Sequence, residues 1–195
     1  MKEQLFGLSV IVIIFLMVKF FKAIKRSAIT DVEAQYAMGN NYFYGRGVSQ
    51  NYKLAFYFFL KAAEQGCAES MFRVGALYFN GQGVSQDYHQ SIYWHELAAK
   101  QEVAESMRFL FNIYNNGNGV PIDTDKAFYW LKQAAENGEP ESQANLGLWY
   151  FTGKAGSKDQ ALAKSWLLLS IESGSNTGYI LYDELFGKNK DAIAG

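Results

Sequence analysis

The chain has 195 residues, 49% of them hydrophobic and 16% aromatic, which is ample for a packed core. Its net charge is -1 and the basic residues do not cluster along the body of the chain, so it lacks the electrostatic footprint that nucleic-acid binding requires. A single cysteine, Cys67, excludes an internal disulfide, and no CxxC or Cys/His cluster suggests a structural metal.

The first element is an apolar run. Leu5 to Val18 is uncharged, and Phe20 and Phe21 beyond Lys19 extend it to about 17 residues suited to a bilayer core. Residues 5–21 are therefore expected to span a membrane as an uncleaved helix, with Lys19 snorkelling to the interface. A cleaved secretory signal is the alternative, but only Lys22, Lys25 and Arg26 follow the run, with no small-x-small site. Lys19 and those three outweigh Lys2 and the α-amine ahead of the run. The rest of the chain is thus expected to face the cytoplasm from a bacterial inner membrane, a periplasm-facing arrangement being the alternative.

From residue 31 onward a block of 36 residues is written four times without insertion or deletion. Gly45, Gly81, Gly117 and Gly153 share one column; Tyr42, Tyr78, Tyr114 and Tyr150 share another; Phe58, Trp94, Trp130 and Trp166 share a third. Such spacing means that each block is one supersecondary unit stacking on its neighbours. The expected fold class is all-α: an α/α superhelical solenoid of four 36-residue helix-turn-helix repeats with a C-terminal capping helix, preceded by the N-terminal transmembrane helix. The expected boundaries are 1–30 for the anchor and its basic flank, then repeats at 31–66, 67–102, 103–138 and 139–174, a cap at 175–186 and a flexible tail at 187–195.

Within a block the predicted elements are two helices joined by a glycine-rich loop. Glu33, Glu69, Glu105 and Glu141 open the first helix, where the macrodipole favours negative charge. Asn51, Asp87, Asp123 and Asp159 stand just before the second, where a side-chain oxygen caps free N–H groups. Gly66, Gly138 and Gly174 fall where the second helix stops. Ala55, Ser91, Ala127 and Ala163 form one small-residue column and Ala62, Ala98, Ala134 and Ser170 another, so neighbouring helices can approach closely, with the Phe/Trp column filling the space between.

The pattern Ala68…Val74-Gly75-x-x-Tyr78-x-x-Gly81-x-Gly83-Val84-x-x-Asp87…Trp94-x-x-x-Ala98-Ala99 resembles the Sel-one-like repeat family, relatives of the tetratricopeptide repeats. It recurs at Met38-Gly39-x-x-Tyr42-x-x-Gly45-x-Gly47-Val48 and at Leu146-Gly147-x-x-Tyr150-x-x-Gly153. The resemblance implies an adaptor or scaffold role and no reaction. Three departures stand out: Phe111 in the column of Gly39, Gly75 and Gly147; Glu102 at the helix-ending glycine position; and Gly153-Lys154-Ala155-Gly156 in the fourth loop. They predict a third helix crossing that either opens or gives the ring a pocket, an atypical junction and an altered loop. The cysteine pairs of the family's disulfide-bridged branch are absent, which fits a reducing compartment.

Columns held by packing should repeat and columns free of packing can diverge. Three first-helix columns diverge, at i, i+3 and i+7, and so share a face: Ala37/Asn40/Tyr44, Arg73/Ala76/Asn80, Phe109/Asn112/Asn116 and Asn145/Leu148/Thr152. In related solenoids the first helices line the concave groove. The candidate binding stripe is Asn40, Tyr44, Arg73, Asn80, Phe109, Asn112, Asn116 and Asn145, with amides to grip a peptide backbone and Phe109 and Tyr44 as apolar anchors. A merely solvated face is the plainer alternative.

No nucleophile elbow, phosphate loop or HExxH motif is present, and no cofactor is implied. His89 reads as surface, and His95, in a column with Phe59, Leu131 and Leu167, as a partly buried histidine with a local hydrogen bond. The expected function is a membrane-anchored scaffold that recruits a protein or peptide partner. An immunity protein clamping a toxin and an envelope-facing binding module are the alternatives.

Overall fold

The computed structural model describes Lys19, residues 31–154 and residues 156–187. Residues 31–44 are helical and are termed α1. There follow α2 (Tyr52–Glu64), α3 (Ala68–Asn80), α4 (Tyr88–Ala99), α5 (Ala104–Asn116), α6 (Thr124–Glu136), α7 (Pro140–Thr152), α8 (Gln160–Glu172) and α9 (Asn176–Phe186). No strand occurs among the described residues. The expected membrane-spanning segment, residues 5–21, lies outside the described residues apart from Lys19, and among the described residues no helix is long and apolar enough to cross a membrane. The expected tail lies outside them from residue 188.

The helix ends have local chemical causes. Asn51, Asp87, Asp123 and Asp159 each accept a hydrogen bond from the backbone N–H three residues on, at 3.1, 3.0, 2.9 and 2.9 Å. Each also donates its own backbone N–H to the carbonyl of the repeated tyrosine, Tyr42, Tyr78, Tyr114 or Tyr150, at 2.9 to 3.0 Å. One residue therefore starts the second helix and pins it to the end of the first. The fourth loop keeps this closure but reaches it differently: Gly156 N–H bonds to the Gly153 carbonyl, where the earlier loops bond the residue after the first glycine back into the helix.

The junction at Glu102 corrects the expectation of atypical geometry. Gly66 N–H bonds to Ala63 and Cys67 N–H to Ala62; Glu102 and Val103 repeat that pair onto Ala99 and Ala98. The turn is the same, so Glu102 is forced to φ 63°, and among the described residues it is the one non-glycine at positive φ. The fold keeps its geometry and the residue carries the strain.

Consecutive helices pack on one another from α2 to α9, and Tyr36 and Phe43 of α1 meet Phe59 of α2. Both small-residue columns of the second helices are fully buried. The aromatic column is less so, which corrects its assignment as the main filler: Trp94 is buried, but Phe58, Trp130 and Trp166 are half-buried. The innermost column is the next one, Phe59, His95, Leu131 and Leu167, all at 0% exposure. A single 100° step round the helix separates the two columns, and only the tilt of the packed helices decides which faces the core.

That inner column explains the glycines. A Cβ at Gly39 would sit 2.5 Å from the Phe59 ring, one at Gly75 2.9 Å from His95, and one at Gly147 2.8 Å from Leu167. The third crossing has Phe111 opposite Leu131 instead, and the ring is accommodated: it is 5% exposed in the same buried cluster as Leu131 and edge-on to Trp149 at 5.7 Å. At the far end α9 covers α7 and α8. Ser175 caps it by accepting from Gly178 N–H and donates its own hydroxyl to Glu141 of α7 at 2.9 Å.

Candidate functional site

Val74 and Leu77 of α3, Leu110 and Ile113 of α5 and Leu146 of α7 are buried. The diverged stripe is left on the outer side of that apolar face. Asn40, Arg73, Phe109, Asn112 and Asn145 are half-buried there, and Tyr44, Asn80 and Asn116 are exposed.

Arg73 is the centre of the arrangement. Its guanidinium carbon lies 5.7 Å from the Phe43 ring centroid, 5.8 Å from Tyr44 and 5.7 Å from Phe72. Arg46 approaches the same Tyr44 ring at 4.7 Å. Phe72 in turn meets Phe109 edge-on at 5.6 Å, and Phe79 meets it at 6.0 Å. Tyr44, Arg73 and Phe109, one from each of the first three blocks, thus lie along a continuous lane of rings and cations.

The asparagines divide into two groups. Asn80 donates to the Ala76 carbonyl of its own helix at 3.0 Å. Asn116 accepts from Asn115, which itself accepts from Lys154 at 2.7 Å, tying the third loop to the fourth. The side chains of Asn40, Asn112 and Asn145 have no hydrogen-bond partner among the described residues, so their amides remain free to pair with a peptide backbone. Asn145 makes no ring or side-chain contact that joins it to the lane among the described residues.

Phe109 has a second role that sequence columns do not reveal. Its ring stacks on His95 at 4.7 Å and 18°, with Phe72 edge-on to the same imidazole at 5.6 Å. His95 is fully rather than partly buried; its Nδ1 is 3.3 Å from Ser106 Oγ and its Nε2 has no partner. Burial lowers its pKa from 6.5 to about 3, so the ring is neutral. Phe109 is therefore a lid on the core as well as an exposed edge on the lane.

Four lane residues, Phe43, Arg46, Phe72 and Phe79, escape the column argument. Phe72 was legible, since its column reads Tyr36, Phe72, Arg108 and Ala144 and diverges too. Arg46 sits in a loop outside the helical columns. On the opposite helices another column had a clear signal: Tyr57, Tyr93 and Tyr129 repeat at 36 residues and stand 48%, 52% and 55% exposed. Among the described residues no group of three His, Cys, Asp or Glu side chains is placed to hold a metal.

Stacked helix pairs with a repeating core and a diverging first-helix face define an α/α solenoid repeat protein. The Sel1 repeat model matches residues 32–67, 68–103, 104–139 and 140–175, and the chain belongs to that family. It is similar to a Sel1 repeat protein from Oxalobacter formigenes, at 31% identity and TM-score 0.71, over 78% of this chain and 63% of the other. A protective antigen of uropathogenic Escherichia coli strains, displaying the same repeat fold, is also 31% identical, with TM-score 0.74 over 89% of this chain and 38% of the antigen. The chain thus spans less than two thirds of either. An immunity protein of Pseudomonas aeruginosa shares the fold at 18% identity and TM-score 0.54, over 83% of this chain and 60% of that one. No curated protein gives a match.

Proposed function

We propose that the chain is a tethered adaptor whose first-helix face captures an extended segment of a protein partner. Sel1 repeat solenoids are protein-interaction modules, and the lane from Tyr44 through Arg73 to Phe109 is the observation that carries this reading for this chain. Free amides on Asn40 and Asn112 border it, two repeats apart, and supply the backbone pairing an extended peptide needs. The membrane supplies location: residues 5–21 hold the repeats at the inner membrane and the basic flank keeps them cytoplasmic, which raises the effective concentration of any co-localised partner.

A photo-reactive phenylalanine analogue placed at Asn40 or Asn112 in cells should crosslink one discrete partner, and the same group at Tyr93 should not. Crosslinking from Tyr93 alone would move the binding surface to the second helices. For topology, alkaline phosphatase fused after Gly195 should be inactive; full activity would place the repeats in the periplasm.

A further inference from the structure

The lane carries positive charge that no carboxylate among the described residues neutralises. Arg46 and Arg73 approach the same Tyr44 ring, yet the three ion pairs among the described residues are Arg108 with Glu139, Lys126 with Asp123 and Lys132 with Glu136. Ring faces accept no directional N–H bond of ordinary strength, so Arg73 keeps its planar fork of donors while Phe43, Tyr44 and Phe72 displace water around it. A guanidinium half-buried among three rings loses less further freedom when it meets a carboxylate than a fully solvated one would. Arg108 is the charge-paired counterpart, although its Nε makes no hydrogen bond. It occupies the column of Phe72 one block on, and its Nε lies 3.3 Å from Glu139, the capping residue of α7. The two arginines of the lane that lack a carboxylate, Arg46 and Arg73, belong to the first two blocks, next to the free amide of Asn40 and upstream of the exposed edge of Phe109.

We propose that this face selects an acidic segment: an extended peptide placing an Asp or Glu side chain between Arg46 and Arg73, with an aromatic or large aliphatic side chain seated toward Phe72, Phe79 and Phe109. The proposal rests on the reading of the first-helix face as a peptide site and adds the chemistry of what it takes. Charge complementarity provides the selectivity, because a Lys or Arg at that place on the peptide meets two cations and is rejected.

The full-length chain in detergent micelles is panned against a random dodecapeptide library fused through its carboxyl terminus, in parallel with Arg73→Glu, Arg73→Gln and Asn112→Trp variants. The native chain should enrich peptides with Asp or Glu followed within a few residues by a large apolar side chain. For one such peptide, synthesised with a fluorescent label, anisotropy should show about tenfold or greater weakening on Arg73→Glu, a smaller loss on Arg73→Gln, and a similar loss when the peptide's Glu is replaced by Gln. Arg73→Glu should itself enrich basic peptides. Circular dichroism checks each fold, and Arg73→Gln carries the test if the charge reversal unfolds. Peptides blocked by Asn112→Trp but without acidic enrichment overturn the charge selection and leave the peptide site standing. Peptides indifferent to Asn112→Trp, or no enrichment at all, overturn both.

Discussion

Two residues show what the repeat imposes on individual side chains. His95 occupies a column of Phe and Leu and is held neutral by burial, its pKa lowered from 6.5 to about 3. The unfolded chain takes up a proton near 6.5 and the folded chain only near 3, so the stability tied to neutral His95 is complete above 6.5 and is lost as pH falls between those values. Urea unfolding followed from pH 7 to pH 4 should show that loss. In His95→Leu, which places there the side chain found at Leu131 and Leu167, the acid sensitivity should be reduced, and stability at pH 7 should change by no more than about 1 kcal/mol, because an unpaired Nε2 goes with the ring. Glu102 is the second case. At φ 63° it occupies a conformation that glycine adopts freely, so Glu102→Gly should raise stability by about 1 kcal/mol, read as a higher melting temperature. The identity of both residues was plain in the repeat columns. Their consequences were not, since burial at 0% and a forced φ belong to the packed chain.

For the helices, caps and crossings decide the outcome. The cap column was fully legible, because Asn or Asp at that place acts through the three residues that follow it and needs no tertiary partner. Asp123→Ala should therefore cost about 1 kcal/mol in thermal unfolding, as should the same change at Asp87. Crossings behave differently. Restoring the family's glycine at the third crossing by Phe111→Gly should destabilise, by about 3 kcal/mol or more, since Leu131 and Trp149 have packed around the ring and a cavity would remain. Gly75→Ala should also destabilise, because its Cβ would press on His95 at 2.9 Å. A chemical-denaturation series with both variants checks the pair, and a stable Phe111→Gly would show that the crossing closes without the ring. The columns showed that Phe111 was exceptional; whether the helices part or the ring finds room depends on what faces it from α6 and α7.

Over the whole molecule, a solenoid is held by contacts between neighbours, so its ends need covering. Two buried clusters run along the array, one from Ala55 to Ala98 and one from Ala99 to Trp149, and α9 closes the carboxyl-terminal end over α7 and α8. Ending the chain after Ser173 should lower the unfolding midpoint and increase binding of a hydrophobic dye, and unchanged values would show that α9 is dispensable. Sequence by itself determined the repeat length, the all-helical class, the family, the caps and the face where side chains diverge. Those properties follow from periodicity and from interactions within a few residues. Tertiary structure alone decided that the Phe59 column rather than the Trp column is innermost, that Phe109 covers His95, and that Arg46 and Arg73 share one tyrosine without a carboxylate from the described residues. Helix tilt and the approach of residues from different blocks set those outcomes, and neither is written in the spacing of a single helix.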